Sequence, residues 1–114
     1  MRRDDATLLD IQNAAQLALE FVRGVDKAAF VADAKTHSAV LHQLLVLGEA
    51  VKRLSREFRD AHSELPWRVM AGMRDNLVHE YDSVDLDEVW KTVQDDLPKV
   101  ISALKTLIPP GDCQ

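Results

Sequence analysis

Residues 40–58 read VLHQLLVLGEAVKRLSREF, and the spacing of their apolar side chains decides the fold class. These apolar positions follow one another at intervals of four, three, four, three and four residues: Val40, Leu44, Leu47, Val51, Leu54 and Phe58. Such intervals form one seam along a helix, so we expect a long helix over about 35–60. Leu41, Leu45 and Gly48 lie behind that seam, which indicates a second surface to cover, either inside the bundle or in a second subunit.

The rest of the chain shows the same helical period. Apolar stripes predict helices over about 5–23, 66–79 and 86–107, and residues 26–33 form a turn or one short extra helix. Pro98 interrupts the last stripe and predicts a kink. We therefore expect an all-α, up-and-down bundle of four main helices in a single domain, residues 1–114, that dimerises through the bundle.

Composition excludes several classes of protein. The 114 residues carry 14 Lys and Arg against 19 Asp and Glu, a net charge of −5, which argues against non-specific coating of nucleic acid. The single cysteine allows no internal disulfide and fits a reducing cytoplasm. No apolar run is long enough for a membrane span, and the four histidines have no metal-site spacing. We expect a cytoplasmic protein without metal or cofactor.

Arg74 stands out because helical geometry places it inside an apolar face. At about 100° per residue, Trp67, Met70 and Leu77 surround it on the predicted third helix. A guanidinium stays charged and needs partners wherever it loses water. Arg74 is then either a structural arginine that bonds carboxylates or helix-end carbonyls, or an arginine that binds an anion such as phosphate.

His79 favours the second alternative. An arginine and a histidine together can perform phosphodiester chemistry without a metal, because the histidine transfers a proton and the arginine stabilises charge on phosphorus. The two positions lie about 140° apart on a regular helix. They converge only if the helix loosens at Leu77 to His79 or if the pocket spans two subunits.

Several segments together resemble the HepT-like toxins of the HEPN superfamily. Residues 65–81 read LPWRVMAGMRDNLVHEY and carry the pattern Arg74-x4-His79-x-Tyr81. The remaining matching segments run in the same order over nearly the whole chain: Arg3-Asp4, Leu9-Asp10-Ile11, Gly48-Glu49-Ala50, Val84-Asp85, Val89-Trp90 and Asp96-Leu97-Pro98.

The resemblance implies a homodimer whose R-x4-6-H motifs meet in a cleft between the subunits. It implies a metal-independent endoribonuclease toxin with Arg74 and His79 as the catalytic pair and supporting positions at Asp75, Asn76 and Glu49. It also implies a toxin-antitoxin partner, an MntA-like minimal nucleotidyltransferase that neutralises the toxin, in some pairs by transfer of AMP to the tyrosine, here Tyr81.

Several of these residues also allow a plainer interpretation. Glu49 is a solvated or interface charge unless it shapes the cleft, and Tyr81 is a packing residue unless it accepts AMP. Six basic residues fall between positions 52 and 74, either as solvated helix faces or as a basic rim for RNA: Lys52, Arg53, Arg56, Arg59, Arg68 and Arg74. The whole chain could also be a non-catalytic binding partner or modification substrate of a nucleotidyltransferase.

Overall fold

The computed structural model describes residues 3–79 and 83–108, and it contains only helices and turns in those ranges. The elements are α1 (Arg3–Phe21), α2 (Lys27–Ala32), α3 (Ala34–Arg53), α4 (Arg56–Ala61), α5 (Trp67–His79), α6 (Leu86–Lys91), a π-helical stretch (Thr92–Asp96) and α7 (Leu97–Leu107). The predicted all-α class is confirmed. Within the described ranges no helix is long and apolar enough to cross a membrane.

The centre of the bundle is the contact between α1 and α3. Leu8, Ile11 and Ala15 of α1 are fully buried, as are Val40 and Val51 of α3. Helical spacing places each set on one face, so the two stripes can cover each other. Gly24 follows α1 with φ of +73°, a left-handed conformation that suits glycine and ends a helix.

The predicted helix over 35–60 is wrong in one respect, because the chain breaks at Leu54 and Ser55. Leu54 has an extended backbone, and Ser55 caps the next helix by accepting a hydrogen bond from the Phe58 amide at 3.1 Å. Asp4 of α1 fixes the break, since its carboxylate accepts from the Ser55 amide at 3.0 Å and from the Ser55 hydroxyl at 2.7 Å. These bonds satisfy groups at a helix start that would otherwise lack a partner.

Helix α5 begins directly after Pro66 and continues unbroken to His79. It packs against α3 through buried side chains that include Met70 and Leu77. The Trp67 indole is buried and donates to the His62 carbonyl at 2.9 Å. The predicted boundaries of this helix are confirmed.

The predicted helix over 86–107 is confirmed as two helices joined by the π-helical stretch. Pro98 stands in the first turn of α7, where its missing N–H removes one bond to the preceding turn. The distortion precedes the proline and takes the form of a wider turn rather than a simple kink. Residues 26–33, predicted as a turn or short helix, form α2, and its Phe30 packs against Trp90 at 5.1 Å between ring centroids.

Candidate active site

Arg74 projects from α5 towards α3, where Gly48 makes room for it. A Cβ added at Gly48 would overlap the Cβ of Arg74 and would lie 2.9 Å from the Met70 carbonyl oxygen. The two helices therefore approach each other at this glycine more closely than any side chain would permit. The Arg74 side chain is 27% exposed, so its stem is covered while its guanidinium reaches the surface.

The guanidinium belongs to a cluster of four charged side chains, here called the Arg74 ion cluster: Glu49, Lys52, Arg74 and Asp75. Arg74 Nη2 lies 2.8 Å from Glu49 Oε2, and Arg74 Nη1 lies 3.1 Å from Asp75 Oδ1. Lys52 Nζ contacts the same Asp75 oxygen at 2.7 Å. Two cations thus face two anions, and the two ion pairs of Arg74 use only part of the five N–H donors of a guanidinium.

The cluster shifts the pKa values of Asp75 and Arg74 in the directions expected of ion pairs. The hydrogen bond from Lys52, followed by the one from Arg74, holds the pKa of the Asp75 carboxyl below its ordinary value. The hydrogen bond to Asp75, together with the charge of Glu49, raises the pKa of Arg74. Both carboxylates therefore favour the charged guanidinium and hold it in one orientation.

His79 is the last residue of α5 and is exposed. Because α5 stays regular from Trp67 to His79, five residues separate Arg74 from His79 by about 140° of rotation and about 7.5 Å of rise. Arg74 and His79 could converge in two ways. The first, a loosened helix between Leu77 and His79, does not occur in the structure. A pocket that spans two subunits is the other way.

The remaining sequence-predicted residues lie elsewhere. Asn76 is exposed and lines a cavity of about 230 Å³ with Ser83 and Val84, away from the Arg74 ion cluster. Tyr81 lies outside the described residues. No group of three or more potential metal ligands occurs in residues 3–79 and 83–108.

Sequence reasoning named Lys52 only among the basic residues and Gly48 only behind the apolar seam and in the family resemblance, and it placed neither beside Arg74. Both lie on the predicted long helix, but nothing in the sequence assigned either of them to Arg74. The available signal was their spacing, since residues 48, 49 and 52 fall on one helical face. Such a face can be recognised as part of a site only when the helix that packs on it is known. The sequence of neither segment predicts the contact between α3 and α5.

Comparison with known proteins adds a family to this geometry. The model of the HepT-like family, described as ribonuclease HepT-like, matches residues 11–107. A relative from Thermococcus cleftensis named "Probable ribonuclease HepT" is 44% identical over 93 residues, which cover 82% of this chain and 84% of the relative. A "Putative RNase" from Caldanaerobacter subterraneus subsp. tengcongensis is 37% identical over 98 residues, covering 86% and 88%. No solved structure matches the chain significantly.

Proposed function

The chain belongs to the HepT-like ribonuclease family, and we propose that it is a metal-independent endoribonuclease, the toxin of a toxin-antitoxin pair. The observation that carries this proposal is the pre-oriented guanidinium of Arg74, held by Glu49 and Asp75 on the same helix as the exposed His79. Relatives named as RNases support the substrate class.

The proposed step is a transesterification within RNA. The 2′-hydroxyl loses its proton and attacks phosphorus, the bond to the 5′-oxygen breaks, and that oxygen receives a proton. The products are a 2′,3′-cyclic phosphate and a 5′-hydroxyl, so protons and charge balance. His79 transfers one of these protons, and Arg74 stabilises the negative charge that grows on the phosphoryl oxygens.

We further propose that the active cleft lies between two subunits of a homodimer. The regular helix turns Arg74 and His79 of one chain away from each other, which favours pairing across an interface. Val78, next to His79, is 50% exposed and lies about 40° from Arg74 around the helix. An apolar surface beside a charged site is suited to burial by a second copy.

The decisive experiment measures cleavage of single-stranded RNA by purified protein in excess EDTA, with an intact mass confirming that Tyr81 is unmodified. We expect cleavage by the wild type and its loss in Arg74→Ala and His79→Ala, each retaining helical circular dichroism. Purified, unmodified dimer that leaves RNA intact would refute the function.

Mixing the two inactive variants tests where the site lies. If Arg74 of one subunit works with His79 of the other, an exchanged mixture regains about a quarter of the wild-type sites, because each heterodimer holds one intact pair. If both residues act within one chain, the mixture stays inactive. Either result is compatible with the endoribonuclease proposal. The experiment decides only whether the active site is shared between two subunits.

We also propose an MntA-like nucleotidyltransferase as the antitoxin, with Tyr81 as the acceptor of AMP. The support is the position of Tyr81, two residues beyond His79, where an added nucleotide would obstruct the cleft. Incubation with the transferase and ATP should add the mass of one AMP per chain and abolish RNA cleavage. Tyr81→Phe should keep its unmodified mass.

One observation favours a second candidate function, a non-catalytic binding partner or modification substrate of the transferase. Arg74 already has two carboxylate partners, which is what a purely structural arginine requires. On that hypothesis wild-type protein does not cut RNA. RNA cleavage by the wild type, absent in His79→Ala, excludes it.

A further inference from the structure

An open groove of about 750 Å³ runs between α4 and α5, outside the Arg74 ion cluster but touching it at Asp75. Arg56 and Arg59 line it from α4, and Arg68 lines it from α5. Among the lining residues that the structure describes, Asp60 is the one acid besides Asp75. The volume of the groove falls in the range of ligand-binding sites in proteins, about 300–1,000 Å³.

The break at Ser55 creates this groove, because it lets α4 leave the direction of α3. Phe58 of α4 packs near Trp67 of α5, with ring centroids 6.3 Å apart, and the indole bond to the His62 carbonyl holds the end of α4. Both walls of the groove are thus fixed by contacts at its base. The arginines stand on these walls and not on a free loop.

The charge of the groove differs from that of the chain. Three arginines face Asp60 and Asp75, and the Asp75 carboxylate is already bonded by Lys52 and Arg74. The Nε of Arg59 is buried and has no hydrogen-bond partner among the described residues. In a chain of net charge −5, this local excess of guanidinium groups attracts a polyanion.

The groove also has a direction, because its α5 wall leads to His79. Arg68, Gly72, Asp75 and His79 follow one another at intervals of four, three and four residues and therefore lie on one face of α5. At Gly72 an added Cβ would meet no atom within 4 Å, so the middle of this wall is open. Asp75 lines the groove, and His79 lies about one helical turn beyond it on the same face.

We propose that this groove binds the sugar-phosphate backbone of single-stranded RNA beside the bond that is cleaved, with Arg56 and Arg68 on phosphates. This inference rests on the proposed ribonuclease function and assigns the surface along which its RNA substrate binds. Guanidinium groups bind phosphate oxygens through paired N–H donors, without regard to sequence. Continuity with His79 favours RNA over an acidic protein segment, which would have no reason to follow α5 to that residue.

The test compares two variants that remove the same charge. Arg56→Gln/Arg68→Gln empties the groove of two exposed arginines, and Lys99→Gln/Lys105→Gln removes two exposed lysines of α7. The probe is a short, fluorescent 2′-O-methyl oligoribonucleotide, which cannot be cleaved because its 2′-oxygen is blocked. Dissociation constants are measured over a series of salt concentrations.

We expect the groove variant to bind the probe about tenfold more weakly at about 0.15 M salt and to lose about 1.4 from the slope of log K against log salt, two phosphate contacts at about 0.7 each. The lysine variant should stay near the wild type. Gly72→Leu, which fills the open wall without changing charge, should weaken binding as well. Equal affinities for the two double variants would overturn the proposal.

Two further measurements separate failure of the groove from failure of the function. If wild type cleaves RNA and His79→Ala does not, while the groove variant binds the probe like the lysine variant, the groove assignment is wrong and the ribonuclease stands. If wild type neither cleaves RNA nor binds the probe, both are wrong. If the groove variant loses affinity for polyglutamate but not for the probe, the groove takes an acidic protein and the RNA assignment is overturned.

Discussion

Gly48 of α3 and Arg74 of α5 face each other at a distance that excludes a side chain on the glycine. The stem of the candidate catalytic arginine therefore packs directly on the backbone of another helix. This packing places the guanidinium of Arg74 against Glu49, the residue that follows Gly48 in α3. The position of the guanidinium thus depends on a glycine, which has no side chain of its own.

Substitution of Gly48 by alanine should destabilise the fold, although alanine is the better helix former. The added methyl would overlap the Arg74 stem and press on the Met70 carbonyl, so the two helices must separate. We expect a loss of about 1–3 kcal/mol in the free energy of unfolding, measured by urea denaturation. RNA cleavage should fall as well, because Arg74 moves with α5.

Gly72→Ala is the matched control, since Gly72 also lies within a helix but has open space around it. There the same change should stabilise the protein by about 0.5–1 kcal/mol through helix propensity alone. Equal effects at the two glycines would contradict the close approach of α3 and α5 at Gly48.

Glu49→Gln should strengthen RNA binding by the active protein. Glu49 occupies one edge of the Arg74 guanidinium, and a phosphate must compete with it. The Glu49 side chain is 48% exposed, and pairs of that kind contribute up to about 1 kcal/mol. We therefore expect KM for a single-stranded RNA to fall by up to about fivefold in steady-state kinetics.

Glu20→Gln on α1 serves as the control, because it removes the same charge from a surface pair with Arg23. It should leave KM unchanged. A rise of KM in Glu49→Gln would mean that the carboxylate orients Arg74 for RNA and does not compete with it.

Asp75 should titrate below the ordinary aspartate pKa of 3.8, because Lys52 and Arg74 both favour its charged form. A carboxyl whose pKa is lowered on folding stabilises the native state above its unfolded pKa. That contribution disappears as the pH falls through the lower, folded value. The carboxyl carbon of Asp75, followed by NMR in acid, should show this midpoint.

Lys52→Met should raise that midpoint towards the ordinary value, since it removes the largest cause of the shift. Lys99→Met, on α7, should leave it unchanged. If the Asp75 midpoint is the same in Lys52→Met as in the wild type, the 2.7 Å contact does not persist in solution.

Elements with a regular period could be predicted from the sequence, whereas features that depend on distant residues could not. The end of α1 before Gly24 and the run of α5 from Pro66 to His79 follow from local chemistry, and the sequence predicted helices over about 5–23 and 66–79. The break at Ser55 was not predicted, because Phe58 continues the apolar seam. Asp4, far away in the chain, supplies the bonds that stabilise the break.

The candidate site divides in the same way. Arg74 was found because an arginine on an apolar face is anomalous, and Asp75 is its neighbour in the chain. The contact with Glu49 and the bond from Lys52 to Asp75 require the α3–α5 packing, which periodicity alone does not give. Asn76 came from the family resemblance, and the structure places it at a different cavity.

The Arg74 ion cluster has a consequence for competition between ligands. If Arg74 binds phosphate, Glu49 and Asp75 compete for its guanidinium. A free mononucleotide would then have to displace them with its single phosphate group. An RNA strand in the α4–α5 groove would stay bound to Arg56 and Arg68 while its next phosphate replaced the carboxylates on Arg74. Discrimination between long RNA and free nucleotides would then arise from valency, and it would need no pocket that recognises a base.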